Sequence, residues 1–311
     1  MIAVLFPGQG SQAAGMGCDL CDSFAIARDA FDEASDVLGY DLTGVCRGGS
    51  PEQLSRTEIA QPALLAHSVA ALRVLRDGGF AFDVALGHSL GEYSALVATG
   101  ALGFRDALTL VKARGEAMAA AAARRPGGMV AVLGLEAGAV EGLCAGLDSV
   151  WPANFNCPGQ VVVSCAESSL EALEEAAKAA GARRVVRLAV SGAFHSPLVA
   201  PAAEALHNPL AATSWAAPAP AFFSTCSAEF EHDGFPALLA RQLVSPVRFE
   251  ESIRRLSGEG YNAYLEVGPG AVLAGLVKRI DGSAATATAG DIDSLATALG
   301  GGWATGGEAD R

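Results

Sequence analysis

The strongest constraint in this sequence is an alternation. Short apolar runs that stop at glycine are separated by longer segments whose apolar residues recur every three or four positions. Runs of the first kind suit strands buried on both faces, and segments of the second kind suit the helices that cover them. Together they specify an α/β fold with a parallel sheet. Ile2–Phe6 closes on Pro7-Gly8-Gln9-Gly10, and Phe82–Gly87 closes on His88-Ser89. Leu20, Phe24, Ala27, Phe31, Ala34 and Leu38 predict one amphipathic helix stopped by Gly39, and Leu65, Val69, Leu72 and Leu75 predict another before Gly78. Helices are expected over Gly91–Ala101 and Phe104–Ala121. Later come a helix (Ala200–Leu206), a strand (Ala221–Thr225), a helix (Pro236–Leu243), a strand (Ala263–Val267) and a helix (Ala271–Ile280).

Between Pro126 and Ser191 the pattern changes. Strands over Met129–Leu133, Val150–Asn154, Val161–Cys165 and Arg183–Leu188 are interleaved with helices over Ala137–Ala145 and Leu170–Ala180. The order βαββαβ is that of a ferredoxin-like unit. The expected architecture is therefore an α/β-hydrolase-like domain built from residues 1–125 and 192–300, interrupted by a small ferredoxin-like subdomain at 126–191. The Gly-rich stretch 301–311 is expected to be a mobile tail. No internal repeat is evident.

Composition narrows the function classes. Of 311 residues, 51% are hydrophobic, which suffices for a full core and excludes a disordered chain. The 21 Lys and Arg against 34 Asp and Glu give a net charge of −13, so bulk attraction to nucleic acid or to an anionic membrane is not expected. No apolar run is long enough to span a bilayer, and the apolar N-terminus lacks the basic flank of a signal peptide. Seven scattered cysteines then suit reduced thiols in the cytoplasm. Cys18 and Cys21 form a lone CxxC with no second pair and no strand before it, so no metal site is expected.

Chemistry enters at Gly87-His88-Ser89-Leu90-Gly91, a G-x-S-x-G between a predicted strand and a predicted helix. A sharp strand-to-helix turn there lifts a serine hydroxyl clear of the backbone, above the positive end of the helix. A serine nucleophile needs a base, and the chain has five histidines: His67, His88, His195, His207 and His232. His67 lies within an amphipathic helix, His88 adjoins Ser89 so that its side chain diverges, and His207 and His232 sit in polar surroundings. Loop context favours His195, although composition alone does not choose.

Several blocks now resemble one family. Phe6-Pro7-Gly8-Gln9-Gly10-Ser11-Gln12, Gly87-His88-Ser89-Leu90-Gly91-Glu92-Tyr93, Arg114 in Val111-Lys112-Ala113-Arg114-Gly115, Asn154-Phe155-Asn156-Cys157-Pro158-Gly159-Gln160, Gly192-Ala193-Phe194-His195-Ser196 and Glu266-Val267-Gly268-Pro269-Gly270 are similar to the signatures of malonyl-CoA:acyl carrier protein transacylases. They run in family order along most of the chain. The acyltransferase domains of polyketide and fatty acid synthases share the pattern.

The resemblance implies roles. Ser89 would attack an acyl thioester with His195 as general base, and Gln242 matches the position that helps to orient the histidine with neutral groups. The N–H groups of Gln9 and Leu90 would form an oxyanion hole, where one donor is typically worth about 2.7–4 kcal/mol. Arg114 would bind a malonyl carboxylate through its planar fork. Phe194, Asn156, Gln160 and Gln61 would border the pocket, as would Val199, which stands where many relatives have Met. Carrier proteins are acidic, so Arg183, Arg184 and Arg187, with Lys278 and Arg279, are expected to form a docking rim. The implied reaction moves malonyl from malonyl-CoA, via a seryl ester, to the phosphopantetheine thiol of an acyl carrier protein. It needs no cofactor and is expected of a monomer. Two alternatives stay open: a discrete polyketide-pathway acyltransferase or acyl hydrolase acting on another acyl group, and a silent module that binds carrier protein.

Overall fold

A computed structural model describes residues 1–305. In chain order the strands are β1 (Ile2–Phe6), β2 (Val84–Gly87), β3 (Gly127–Leu133), β4 (Val150–Cys157), β5 (Gln160–Ala166), β6 (Arg184–Arg187), β7 (Ala221–Ser224), β8 (Glu229–Glu231), β9 (Ala263–Val267) and β10 (Ala285–Ala289). The helices are α1 (Cys18–Ser23), α2 (Ala25–Leu38), α3 (Leu42–Gly48), α4 (Pro51–Ser55), α5 (Thr57–Asp77), α6 (Gly91–Ala98), α7 (Phe104–Arg124), α8 (Ala137–Ala145), α9 (Leu170–Ala179), α10 (Ala200–Ala212), α11 (Phe235–Gln242), α12 (Phe249–Gly258), α13 (Val272–Ile280) and α14 (Ile292–Leu299).

The main sheet has the order β10-β9-β1-β2-β7-β8 and is parallel except for β8, which pairs antiparallel with β7 at one edge. Its side chains alternate between two cores, as the pleat requires. Val4 and Phe6 of β1 join a core with Phe31 of α2, Leu65 of α5 and Leu108 of α7. Ala3 and Leu5 point the other way, to Phe249 and Ile253 of α12 and Val277 of α13. Chain order leaves β1 in both directions, toward β2 and toward β9. Ligands of such sheets bind at the carboxyl ends of strands beside such a reversal.

The second sheet has the order β4-β5-β3-β6, antiparallel throughout, which is the ferredoxin-like arrangement. Val130 and Val132 of β3 pack on Val140 of α8 and Leu173 of α9. Met129 and Ala131, on the opposite face, belong to the core of the main sheet. The small sheet is thus a cover over the large one. Two main-chain bonds fasten its edge: Phe155 N–H to the Val247 carbonyl and Val247 N–H to the Ala153 carbonyl, each 2.8 Å.

Several expectations need correction. The helix expected from Leu20 to Leu38 is two, broken where Phe24 takes an extended conformation. Its side chain stays on the apolar face, so the spacing conceals the break. The helix expected to stop at Leu206 runs through Pro209 to Ala212. Neither α12 nor β10 was anticipated: the buried Phe249, Ile253 and Leu256 of α12 stand among charged residues, and Ala-Thr-Ala-Thr-Ala in β10 lacks bulk. The region 301–311 begins with a 3-10 turn, Gly302–Thr305, whose Trp303 donates from Nε1 to the Ala298 carbonyl at 3.1 Å and packs on the core. Residues 306–311 lie outside the described residues.

His67 of α5 is buried with Nε2 2.8 Å from the Gly290 carbonyl, and burial pushes its pKa down to about 4. An unfolded chain takes up this proton near pH 6.5, so stability is lost as pH falls from 6.5 toward 4. The loss attributable to His67 at pH 5 is about 2 kcal/mol. Urea denaturation at pH 7 and pH 5 should show a shallower pH dependence for His67→Gln than for the unaltered protein. Equal dependences would contradict the assignment.

Candidate active site

The turn from β2 into α6 holds Ser89 at φ 53°, a left-handed conformation that is rare for a side-chain-bearing residue. Main-chain bonds lock it: Gly91 N–H to the His88 carbonyl, Glu92 N–H to the Ser89 carbonyl, and His88 N–H back to the Phe6 carbonyl. Two glycines let the loop after β1 lie directly on this turn. A Cβ on Gly91 would sit 2.0 Å from the Phe6 carbonyl oxygen, and one on Gly8 would sit 2.4 Å from that of His88. The contact brings Gln9 and Leu90 to the wall of one cavity with Ser89. Neither N–H has an acceptor within the described residues. Such free donors beside a nucleophile are suited to a developing oxyanion.

His195 reaches Ser89 from the loop that follows β6. Its Nε2 is 2.8 Å from Ser89 Oγ, and its Nδ1 is 3.0 Å from the carbonyl oxygens of both Gln242 and Ser245. Carbonyls only accept, so Nδ1 carries the ring proton and Nε2 is free to accept the serine proton. Burial, reinforced by the charge of Arg114, pushes His195 down to about 3, so the ring is neutral and Nε2 keeps its lone pair free. The histidine is therefore oriented by main-chain carbonyls. Gln242 ends α11, where carbonyls lack helical partners. Its side chain does something else, and Ser245 was not anticipated.

That side chain ties Arg114 to Glu92. Arg114, on α7, is 1% exposed. Its Nη2 donates to Ser89 Oγ and Gln242 Oε1, each at 3.0 Å, and its Nη1 donates to Gln61 Oε1 at 2.7 Å. Nε has no partner, and among the described residues no carboxylate forms an ion pair with this guanidinium. Burial pulls its pKa down, yet a guanidinium stays charged in proteins. Gln242 Nε2 donates to Glu92 Oε2 at 2.6 Å and to the Ser89 carbonyl at 2.9 Å. Glu92 is fully buried, and its Oε1 accepts from Ser224 Oγ, Thr225 N and Oγ1, and Cys226 N. Burial pushes its carboxyl up from the ordinary range, while these donors favour the charged form. Glu92 falls within the elbow motif, and the family resemblance implies no role for it. The available signal was a charged residue in the first turn of an otherwise apolar helix.

The cavity encloses about 80 Å³. Gln61, Arg114 and the main chain of the elbow supply its polar wall, and Met118, Met129, Leu188, Val190 and Phe194 its apolar one. Gln61 and Phe194 thus lie where expected, but Asn156, Gln160 and Val199 are not among the lining residues. Asn156 Oδ1 accepts from His88 Nε2 at 3.0 Å, and Asn154 lines the cavity instead. Gln160 turns outward, accepting from Arg279 Nη1 at 2.6 Å. Val199 is buried in a 3-10 turn before α10.

Of the expected docking residues, Arg183, Arg184 and Arg187 are exposed along or just before β6, and Lys278 and Arg279 are exposed at the end of α13. Arg187 pairs with Glu174, and Arg279 also donates to the Pro158 carbonyl at 3.1 Å. Arg183 and Arg184 form no ion pair with described residues. The seven cysteines are free and buried, and burial pushes Cys21 up to about 11. Among the described residues no group of three or more His, Cys, Asp or Glu could hold a metal ion, and no helix is long and apolar enough to cross a membrane.

An elbow serine at the carboxyl edge of a parallel sheet, under a ferredoxin-like cover, places the chain among acyl-transferring enzymes. Residues 4–292 match the family described as acyl transferase domain, and the chain belongs to that family. It is 43% identical over 304 residues to the malonyl CoA-acyl carrier protein transacylase of Bacillus subtilis, with 96% of each chain covered. It is 41% identical over 303 residues to the protein of the same name from Escherichia coli K12, covering 96% of this chain and 98% of the relative. Among solved structures, a malonyl-transacylase in complex with its type II PKS acyl-carrier protein superposes with a TM-score of 0.93 at 41% identity, covering 96% of this chain and 99% of that one.

The close approach at Gly91 and the open space at Gly142 of α8 yield opposite expectations. Gly91→Ala should be destabilised by more than about 3 kcal/mol or fail to accumulate. Gly142→Ala should be more stable by roughly 0.5–1 kcal/mol. Denaturant melts decide, and a Gly91→Ala protein of ordinary stability would contradict the packing described.

Proposed function

We propose that this enzyme transfers a malonyl group from malonyl-CoA to the phosphopantetheine thiol of an acyl carrier protein, through an ester on Ser89. One observation carries the reading: a buried guanidinium with no carboxylate partner stands 3.0 Å from the Ser89 hydroxyl. An unpaired buried charge is costly, and an anion that arrives with the substrate relieves the cost. An acyl group whose free carboxylate lies two bonds beyond the reacting carbonyl carbon places its charge against that fork. A cavity of about 80 Å³ suits a short acyl chain. The names borne by relatives more than 40% identical agree with this substrate.

The steps follow from the groups present. Ser89 Oγ bonds to the thioester carbonyl carbon as its proton passes to His195 Nε2. The carbonyl oxygen gains charge facing the N–H groups of Gln9 and Leu90, while the carbonyls of Gln242 and Ser245 steady the cationic ring. Collapse breaks the C–S bond, and His195 returns the proton to the departing CoA sulfur. A pantetheine thiol then repeats the sequence in reverse: its proton goes to Nε2, its sulfur bonds to the ester carbon, and Ser89 leaves with the proton restored. Such a covalent intermediate implies ping-pong kinetics. Every enzyme group in the scheme comes from one chain.

For the second substrate, Arg183 and Arg184 are exposed and form no ion pair with described residues. They precede Leu188, which lines the cavity. Exposed positive charge this near in sequence to a lining residue supports docking of an acidic carrier protein. Arg279 instead braces the β4–β5 turn from α13.

Intact-protein mass spectrometry after mixing with malonyl-CoA, then with carrier protein, tests both halves. A malonyl adduct should form, be absent in Ser89→Ala, and discharge to the carrier. The variant Arg183→Glu/Arg184→Glu should load normally and discharge about tenfold more slowly at low salt. A stable adduct on Ser89→Ala would contradict the nucleophile, and unchanged discharge would contradict the docking surface.

A further inference from the structure

The Gln242 amide could meet Arg114 with either end, and its shape does not decide which. Its surroundings do. Nε2 lies 2.6 Å from Glu92 Oε2 and 2.9 Å from the Ser89 carbonyl, and Oε1 lies 3.0 Å from Arg114 Nη2. A carboxylate and a carbonyl only accept, and a guanidinium only donates. Turned over, the amide would set oxygen against two acceptors and nitrogen against a donor. The Ser89 carbonyl is main chain and would be there whatever residue occupied that position. The side chain that fixes the amide is Glu92.

Glu92 is well placed for this. Its other oxygen accepts from two backbone N–H groups of the turn after β7 and lies beside the Ser224 and Thr225 hydroxyls, so the carboxylate cannot rotate away. Those two N–H groups and the Gln242 amide nitrogen only donate, and they favour the ionised carboxylate. Its negative charge therefore lies one amide away from Arg114. At that remove it offsets the buried cation without contacting it. A direct ion pair would engage the same N–H groups that a substrate carboxylate needs.

We propose that Glu92 is a positioning residue for recognition of the carboxylated acyl group: it orients the Gln242 amide toward Arg114 and supplies the counter-charge at one remove, leaving the guanidinium open to substrate. This rests on the reading of Arg114 given under Proposed function. It assigns Glu92 an effect on which acyl group is accepted, beyond any contribution to stability.

Glu92→Gln is nearly isosteric and tests it. The Thr225 and Cys226 N–H groups keep an oxygen at the Oε1 place, so the new NH₂ meets Gln242 Nε2 head-on. The Gln242 amide then turns or withdraws, and Arg114 loses an acceptor. Single-turnover acylation by malonyl-CoA should lose about tenfold in kcat/KM, chiefly through KM, while acylation by acetyl-CoA changes less than about threefold. A preference for malonyl over acetyl that is unchanged or raised overturns the proposal, including the case where both substrates fall equally. If Glu92→Gln does not fold, Gln242→Leu decides, because Glu92 there keeps its partners on β7 and the turn after it. It must lose the same preference, and retention overturns the proposal. Arg114→Ala, measured beside them, separates two failures. If it keeps the preference, the carboxylate reading of Arg114 is wrong; if it loses the preference while Glu92→Gln keeps it, only the role of Glu92 is wrong.

Discussion

A positive charge sealed inside the protein without a negative partner in contact is the condition on which the rest of the site depends. Removing an ion from water costs several kcal/mol even after relaxation, and Arg114 meets that cost with neutral acceptors on Gln61, Ser89 and Gln242. Glu92 contributes at a distance, through the Gln242 amide. One bonded chain thus links a buried carboxylate, an amide, a guanidinium and the Ser89 hydroxyl. The same Gln242 serves the histidine through its main-chain carbonyl. Substrate recognition and proton transfer are consequently mechanically coupled at one residue.

Backbone contacts hold the reacting atoms in place around this charge. The loop after β1 and the elbow after β2 touch at Phe6, Gly8, His88 and Gly91, and this contact brings Gln9 and Leu90 to one cavity wall with Ser89. The small sheet closes the cavity from above, with Met129 of β3 in its wall. The apolar lining lowers the local dielectric, which strengthens each polar contact inside and keeps His195 neutral.

Much of this was legible in the sequence. Glycine-closed apolar runs located β1, β2 and β9, and the change of pattern after Pro126 revealed the ferredoxin-like layer. Ser89 stood out by its G-x-S-x-G turn, loop context favoured His195, and the family resemblance implied Arg114; each acts through its own side chain. Ser245 did not stand out, since it acts through a carbonyl that every residue carries. Glu92 was concealed because its partners on β7 and α11 are more than a hundred residues away in sequence. Asn154 and Asn156 would share a face in a regular strand, but β4 shifts register between Phe155 and Cys157. Asn156 turns to His88, and only Asn154 lines the cavity. The helix break at Phe24 escaped for a related reason, as apolar spacing records which face is buried and not whether the backbone is continuous.

The overall charge of −13 gives an acidic carrier protein no general attraction, so the proposed docking needs local cations such as Arg183 and Arg184. In the proposed reaction acyl choice rests, by contrast, on one buried charge. Malonamyl-CoA replaces the malonyl carboxylate with a neutral amide of nearly the same shape, so it isolates that charge. Single-turnover acylation of Ser89 by malonyl-CoA and malonamyl-CoA is therefore the most direct test. The account predicts that kcat/KM for malonamyl-CoA is lower by about a hundredfold or more. Equal values for the two thioesters would contradict it.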